Sequence, residues 1–137
     1  MVESAEPSAG LPTAAEAMEW IGDKIDDLDG SSAGSVHGFF ADAESGEPTW
    51  LIAKLGRRRP RLVAIPLSGC AGGKGRVWIA QERKTIEASP VVDPARPLLR
   101  EHELTICSHF RIGEKVGRAA EVADRPEGAV TSRPMAG

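Results

Sequence analysis

A chain of 137 residues suits a single domain. Its hydrophobic fraction of 41%, charged fraction of 27% and formal net charge of −3 are those of an ordinary globular protein and argue against a nucleic-acid footprint over the whole surface. No apolar run reaches the ~18 residues of a membrane-spanning helix, and with aromatics at 4% and no Tyr the core has to lean on Val, Ile, Leu and Ala.

Residues 1–12 are rich in Ser, Ala, Gly, Pro and Glu and read as a disordered tail, since they cannot bury enough apolar surface to order themselves. They have neither a basic start nor an apolar stretch, so no secretory signal is expected there. A short helix follows. Thr13 and Glu16 have the spacing of a capping box, Ala14, Ala15, Ala17 and Met18 favour helix, and Gly22 ends it. From residue 24 to 89 the signals are those of short strands joined by turns. The first is 24–28, closed by Asp29-Gly30. The second is 35–43, where Val36 and Phe39 stand three apart and need a bulge near Gly38 to share a face. In the third, 49–55, Leu51, Ala53 and Leu55 lie on one face, with Trp50 and Ile52 on the other. The fourth is 61–67 and the fifth 76–81, in which Val77 and Ile79 oppose Trp78 and Ala80. The glycine-rich stretch 68–75 between them reads as a loop. A sixth strand or a turn of helix spans 84–88, ended by Pro90.

Short strands at this spacing indicate a sandwich or small barrel. Strands apolar on both faces need a cover, and 98–112 supplies one. Leu99, Ile106 and Phe110 are spaced to share a helical face, so this segment is expected as an amphipathic helix on the barrel or on a partner. Residues 113–137, broken by Pro126, Gly128 and Pro134, read as a second disordered tail.

The residues in order bring a family pattern into view. Trp20-Ile21-Gly22, Asp27-Leu28-Asp29-Gly30 and Gly34-Ser35-Val36 come first. Asp42, Gly46, Pro48, Thr49 and Trp50 follow, then Gly56-Arg57-Arg58-Arg59 leading into Ile65-Pro66-Leu67, and 83–90. The series resembles the PRC-barrel family over roughly residues 19–112. Phe110 departs from it where an aromatic hydroxyl is common, and Arg111 departs where glycine is usual. The resemblance implies a mainly β domain at 13–112, a small six-stranded PRC-type barrel with short N- and C-terminal helices. In that family the barrel docks onto other proteins, as in a photosynthetic reaction-centre subunit and in a bacterial factor that helps mature the small ribosomal subunit. It implies a fold more strongly than a task.

Candidate chemistry is sparse. Asp27 and Asp29 suggest part of a calcium loop, but the positions that need glycine and a bidentate glutamate hold Ser32 and Gly38, and a tight turn explains Asp29-Gly30. His102 and His109 would sit about 10.5 Å apart along a helix, too far to chelate one metal. A Cys–His role for His37, Cys107 and His109 would need alignment in space that sequence does not supply. Cys70 and Cys107 are too few for a disulfide framework and form no CxxC pair, which fits a reducing, cytoplasmic setting; Cys70 is expected exposed in its glycine-rich loop. The run from Gly69 to Gly75 fails as a phosphate loop, because Gly75 follows Lys74 where Ser or Thr is required.

Arg57, Arg58, Arg59 and Arg61 are the most suggestive feature. Guanidinium groups at a hairpin tip suit an acidic partner, or serve to keep edge strands apart. The expectation is a non-catalytic protein–protein docking or self-association module, without cofactor or metal, working as a homodimer. Its candidate contacts are Trp50, Trp78, Ile106 and Phe110, with the arginine tip steering acidic partners. The alternative is ribosome or RNA association through the same tip, less favoured because no aromatic lies within it to stack on bases.

Overall fold

The computed structural model describes residues 12–68, 70–111 and 118–135. The expected tail at 1–12 therefore lies outside the described residues except for Pro12, which is buried. The first helix, α1 (Ala14–Trp20), is capped as its sequence requires: the Thr13 hydroxyl accepts from Glu16 N at 3.1 Å and the Glu16 carboxylate accepts from Thr13 N at 2.9 Å. The strands are β1 (Lys24–Asp26), β2 (Ser32–Asp42), β3 (Pro48–Leu55), β4 (Arg61–Pro66), β5 (Ala71–Gly73) and β6 (Arg76–Trp78). A short helix α2 (Arg83–Glu87) follows, then β7 (Leu98–Leu99), α3 (Arg100–His109), α4 (Arg118–Ala123) and β8 (Val130–Pro134).

These strands make a mixed eight-stranded sheet in the order β4-β3-β2-β1-β6-β5, with β8 branching from β2 to pair with β7. Every pairing is antiparallel except that of β1 with β6. The mainly β class is as expected, but the sheet is open where a closed six-stranded barrel was expected. Its far edge is β5, only 3 residues long, and among the described residues the outer side of β4 pairs only through an isolated bridge from Val63 to Val91. Among the described residues the two edges do not pair.

The long strand β2 is the spine. Its first half pairs with β1 and its last residues, Phe40 to Asp42, pair with β8, while β3 runs along its other side. The register with β3 shifts between Val36 and Gly38. That bulge turns Val36 and Phe39 to one face, as their spacing required. Two cores result. Val36, Phe39, Leu51, Ala53, Leu55, Val63 and Ile65 bury on one side, with Ile25, Val77 and Ile86. Phe40, Trp50, Ile52 and Ala64 bury on the other, under Ile106 and Cys107 of α3. The alternation read along β3 therefore divides its residues between the two cores, and α3 is the cover that the second face needed.

Several segments differ from expectation. Leu98 and Leu99 are extended and pair with β8, so α3 begins at Arg100 and ends at His109, and Ile112 lies outside the described residues. The region expected as a C-terminal tail supplies α4 and β8 instead. Val122 and Thr131 are fully buried there, so this stretch closes the second core rather than trailing from it. Part of the glycine-rich loop is strand: β5 and β6 are joined by Lys74 and Gly75, with φ of 53° and 83°, a two-residue hairpin turn of the type that matches strand twist. Gly72 has a further reason to be glycine, because a Cβ there would lie 2.2 Å from the Trp20 ring.

Candidate functional site

The strongest concentration of polar chemistry was not visible as a motif. Glu103, on the inner face of α3, is fully buried beside Ile106 and Cys107. A carboxylate so placed must be paired, and this one is. Arg118 at the start of α4 engages it through one edge of its guanidinium, Nη2 to Oε1 at 2.8 Å and Nε to Oε2 at 3.1 Å. Ser132 of β8 donates to it at 2.8 Å, and the Trp50 indole N–H donates to the same carboxylate. Arg118 also donates to Asp42 at 2.6 Å and to the Thr131 carbonyl at 2.9 Å.

Asp42 ends β2. Its other carboxylate oxygen accepts from the backbone of Glu44 and Ser45, each at 2.9 Å, which folds the turn into β3. Burial alone would push this carboxyl up. The Ser45 N–H, the Arg118 guanidinium and the Glu44 N–H outweigh that and hold it well below the usual carboxylate range. Arg118 moves the opposite way: burial would lower it, but Glu103 and Asp42 raise it further. Arg125 approaches Asp42 at 3.4 Å and Glu44 at 3.6 Å. Among the described residues, Arg125 Nη1 and Arg100 Nε are buried without an acceptor.

Above this network opens a groove of about 580 Å³. Pro48, Pro66 and Leu67 give it apolar lining, and the exposed Glu44, Glu47 and Glu121 give it charge. Arg118 and Arg125 are shared among Asp42, Glu44 and Glu103, so among the described residues the groove keeps a net negative charge, with Glu47 and Glu121 unpaired. A rigid, neutralised base under an acidic mouth can hold a cationic segment; among the described residues none lining it are arranged as a nucleophile and base.

The residues singled out from sequence are scattered. Trp50 and Ile106 are each 1% exposed. They are core residues, because both faces of β3 are covered and the Trp50 N–H is occupied by Glu103. Phe110 is half-buried and packs against both cores and edge-on to His109. Trp78 alone of the apolar candidates reaches the surface, at 39% exposure, beside the β5 edge. Arg57, Arg58 and Arg59 are exposed at the β3–β4 turn, while the Arg61 guanidinium donates to the Glu87 carbonyl, tying the hairpin to α2.

The remaining candidates have structural partners. Asp27 accepts from Asp29 N at 2.9 Å and Ser31 N at 2.8 Å, the work of a turn residue. His102 Nδ1 accepts from Leu99 N at 3.2 Å and His109 Nε2 lies 2.9 Å from the Thr85 carbonyl, while His37 is exposed on β2. No group of metal-ligating side chains comes together among the described residues. Cys70, expected exposed, is buried; it donates to the Pro66 carbonyl at 3.3 Å and burial pushes its thiol up to about 12. Burial, then the charge of Glu103, push Cys107 up to about 11. Neither is a poised nucleophile.

Glu103, Arg118, Asp42 and Ser132 escaped sequence reading as a site. One signal was available: Glu103 stands three and four residues before Ile106 and Cys107, an acid on the apolar side of an amphipathic helix. No protein-family model matches this chain, and no curated protein matches it.

Proposed function

We propose that this protein is a non-catalytic docking module that binds a basic protein segment in the groove between the β2–β3 turn, the end of β4 and α4. The observation that carries this reading is the groove itself: the exposed Glu44, Glu47 and Glu121 give its mouth a net negative charge among the described residues, around an apolar lining and over a base braced by Arg118. Carboxylates favour guanidinium ligands, which they can bind through paired hydrogen bonds, and the apolar lining suits the aliphatic stems of such side chains. The PRC-barrel kinship belongs to the same reading and rests on the ordered series from Trp20 to Pro90, with docking as the family's usual work.

The test uses a short peptide, Arg-Arg-Arg-Pro-Arg with blocked ends, titrated by calorimetry at low salt. Saturable binding that the triple change Glu44→Lys, Glu47→Lys, Glu121→Lys abolishes is the expected result. No binding, or binding that this triple change leaves intact, rejects the groove as a docking site.

A further inference from the structure

We infer that the occupant of this groove is the arginine tip of a second copy of the same chain, so that the protein associates head to tail. The inference rests on the docking reading above and names its partner. The tip and part of the groove lie at opposite ends of one hairpin. Arg57, Arg58 and Arg59 are exposed at the turn between β3 and β4, and Arg61 just beyond them is anchored to the Glu87 carbonyl, which steadies the tip. At the other end of the same two strands, Pro48 and Pro66 enter the groove beside Glu44, Glu47 and Glu121.

The three exposed guanidinium groups match the net negative mouth formed by the exposed Glu44, Glu47 and Glu121, and each guanidinium has the planar fork that pairs with a carboxylate. A chain cannot satisfy itself. From Thr49 to Leu55 the strand advances about 20 Å at strand rise, so the tip points away from its own groove. The two surfaces are also different, so the contact is heterologous: each copy offers a tip to one neighbour and a groove to another. Such contacts grow with concentration into rings or chains, and exposed charge pairs of this kind weaken as salt shortens the screening length.

The test is light scattering of the full chain over a rising concentration series, at about 0.02 M and 0.5 M salt, with two charge-reversed variants. One carries Arg57→Glu, Arg58→Glu, Arg59→Glu; the other carries Glu44→Lys, Glu47→Lys, Glu121→Lys. All six positions are exposed, and circular dichroism checks that both variants fold. The wild type is expected to rise to at least twice the monomer mass at low salt and to return to monomer at high salt. Each variant alone is expected to stay monomeric, and an equimolar mixture of the two to regain association, because every tip then meets a groove of opposite sign. A wild type that stays monomeric throughout overturns the inference, and if the arginine peptide still binds, the docking reading survives it. Association unaffected by either reversal, or a mixture that stays monomeric, also overturns it. So does salt-sensitive RNA retention by a monomeric wild type that the tip reversal abolishes, which would assign the tip to nucleic acid.

Discussion

The guanidinium of Arg118 lies edge to edge with the carboxylate of Glu103, 2.8 Å from Oε1 through Nη2 and 3.1 Å from Oε2 through Nε, and the carboxylate is fully shielded from solvent. This pair joins α4 to α3 and, through Asp42 and Ser132, joins both to the end of β2 and to β8. The C-terminal stretch is thus held by a charge network rather than by apolar contact alone.

Arg118→Ala should therefore destabilise the fold by about 3–5 kcal/mol, because it strands the Glu103 charge in a dry site. Urea denaturation measures this. Adding Glu103→Gln should recover part of the loss, since an amide is cheaper to leave half-paired than a carboxylate. A single change costing less than about 1 kcal/mol, the range of an exposed ion pair, would show that the pair is not buried in solution.

Asp42 makes the fold acid-sensitive. Its folded carboxyl titrates below its unfolded value, near 3.9, so the stability it contributes is fully present above about pH 4 and is lost as pH falls from there towards the folded value. In denaturant melts repeated at falling pH, the wild type should lose on the order of 2 kcal/mol more than Asp42→Asn over this window. Parallel profiles would contradict the assignment.

Gly72 and Trp20 make a size-limited contact. An alanine Cβ at position 72 would come within 2.2 Å of the Trp20 ring, so Gly72→Ala should cost about 1–3 kcal/mol through overpacking and alter the tryptophan emission. Combining it with Trp20→Leu should bring the cost of the glycine change close to zero, as a double-mutant cycle would report.

Arg111 follows α3 with φ of 58°, the left-handed turn in which a helix usually places glycine. Arg111→Gly should relieve this and stabilise the protein by about 1 kcal/mol, read as a higher denaturation midpoint with an unchanged slope. A destabilised variant would mean that the Arg111 side chain contributes more than its backbone costs.

Local chemistry was legible wherever neighbours in sequence are neighbours in space. The Thr13–Glu16 cap, the Asp27 turn and the bulge beside Gly38 all depend on spacings of a few residues, and each is found. So is the division of β3, because alternation puts Leu51 and Ile52 on opposite faces whatever covers them. The arginine tip is at a hairpin turn for the same reason. The role of α3 as a cover followed from the apolar excess of the strands beneath it.

Other features depended on partners far away along the chain. Along its strand Trp50 fits either core or contact, and Glu103, 53 residues later, places it in the core by holding its N–H. The 118–135 region looked like a tail because its Pro and Gly residues weaken every local signal; β8 forms because β2 and β7 offer it backbone partners, and α4 is held by Arg118. Whether the sheet closed was equally undecidable from pattern, since closure depends on how its edges meet. Sequence alone determined the mainly β class, the inward faces, the turns and the exposed basic tip, because those follow from period and backbone preference. Only tertiary structure decided the open sheet, the buried ion network and the acidic groove above it, because pairing across tens of residues is set by packing rather than by spacing.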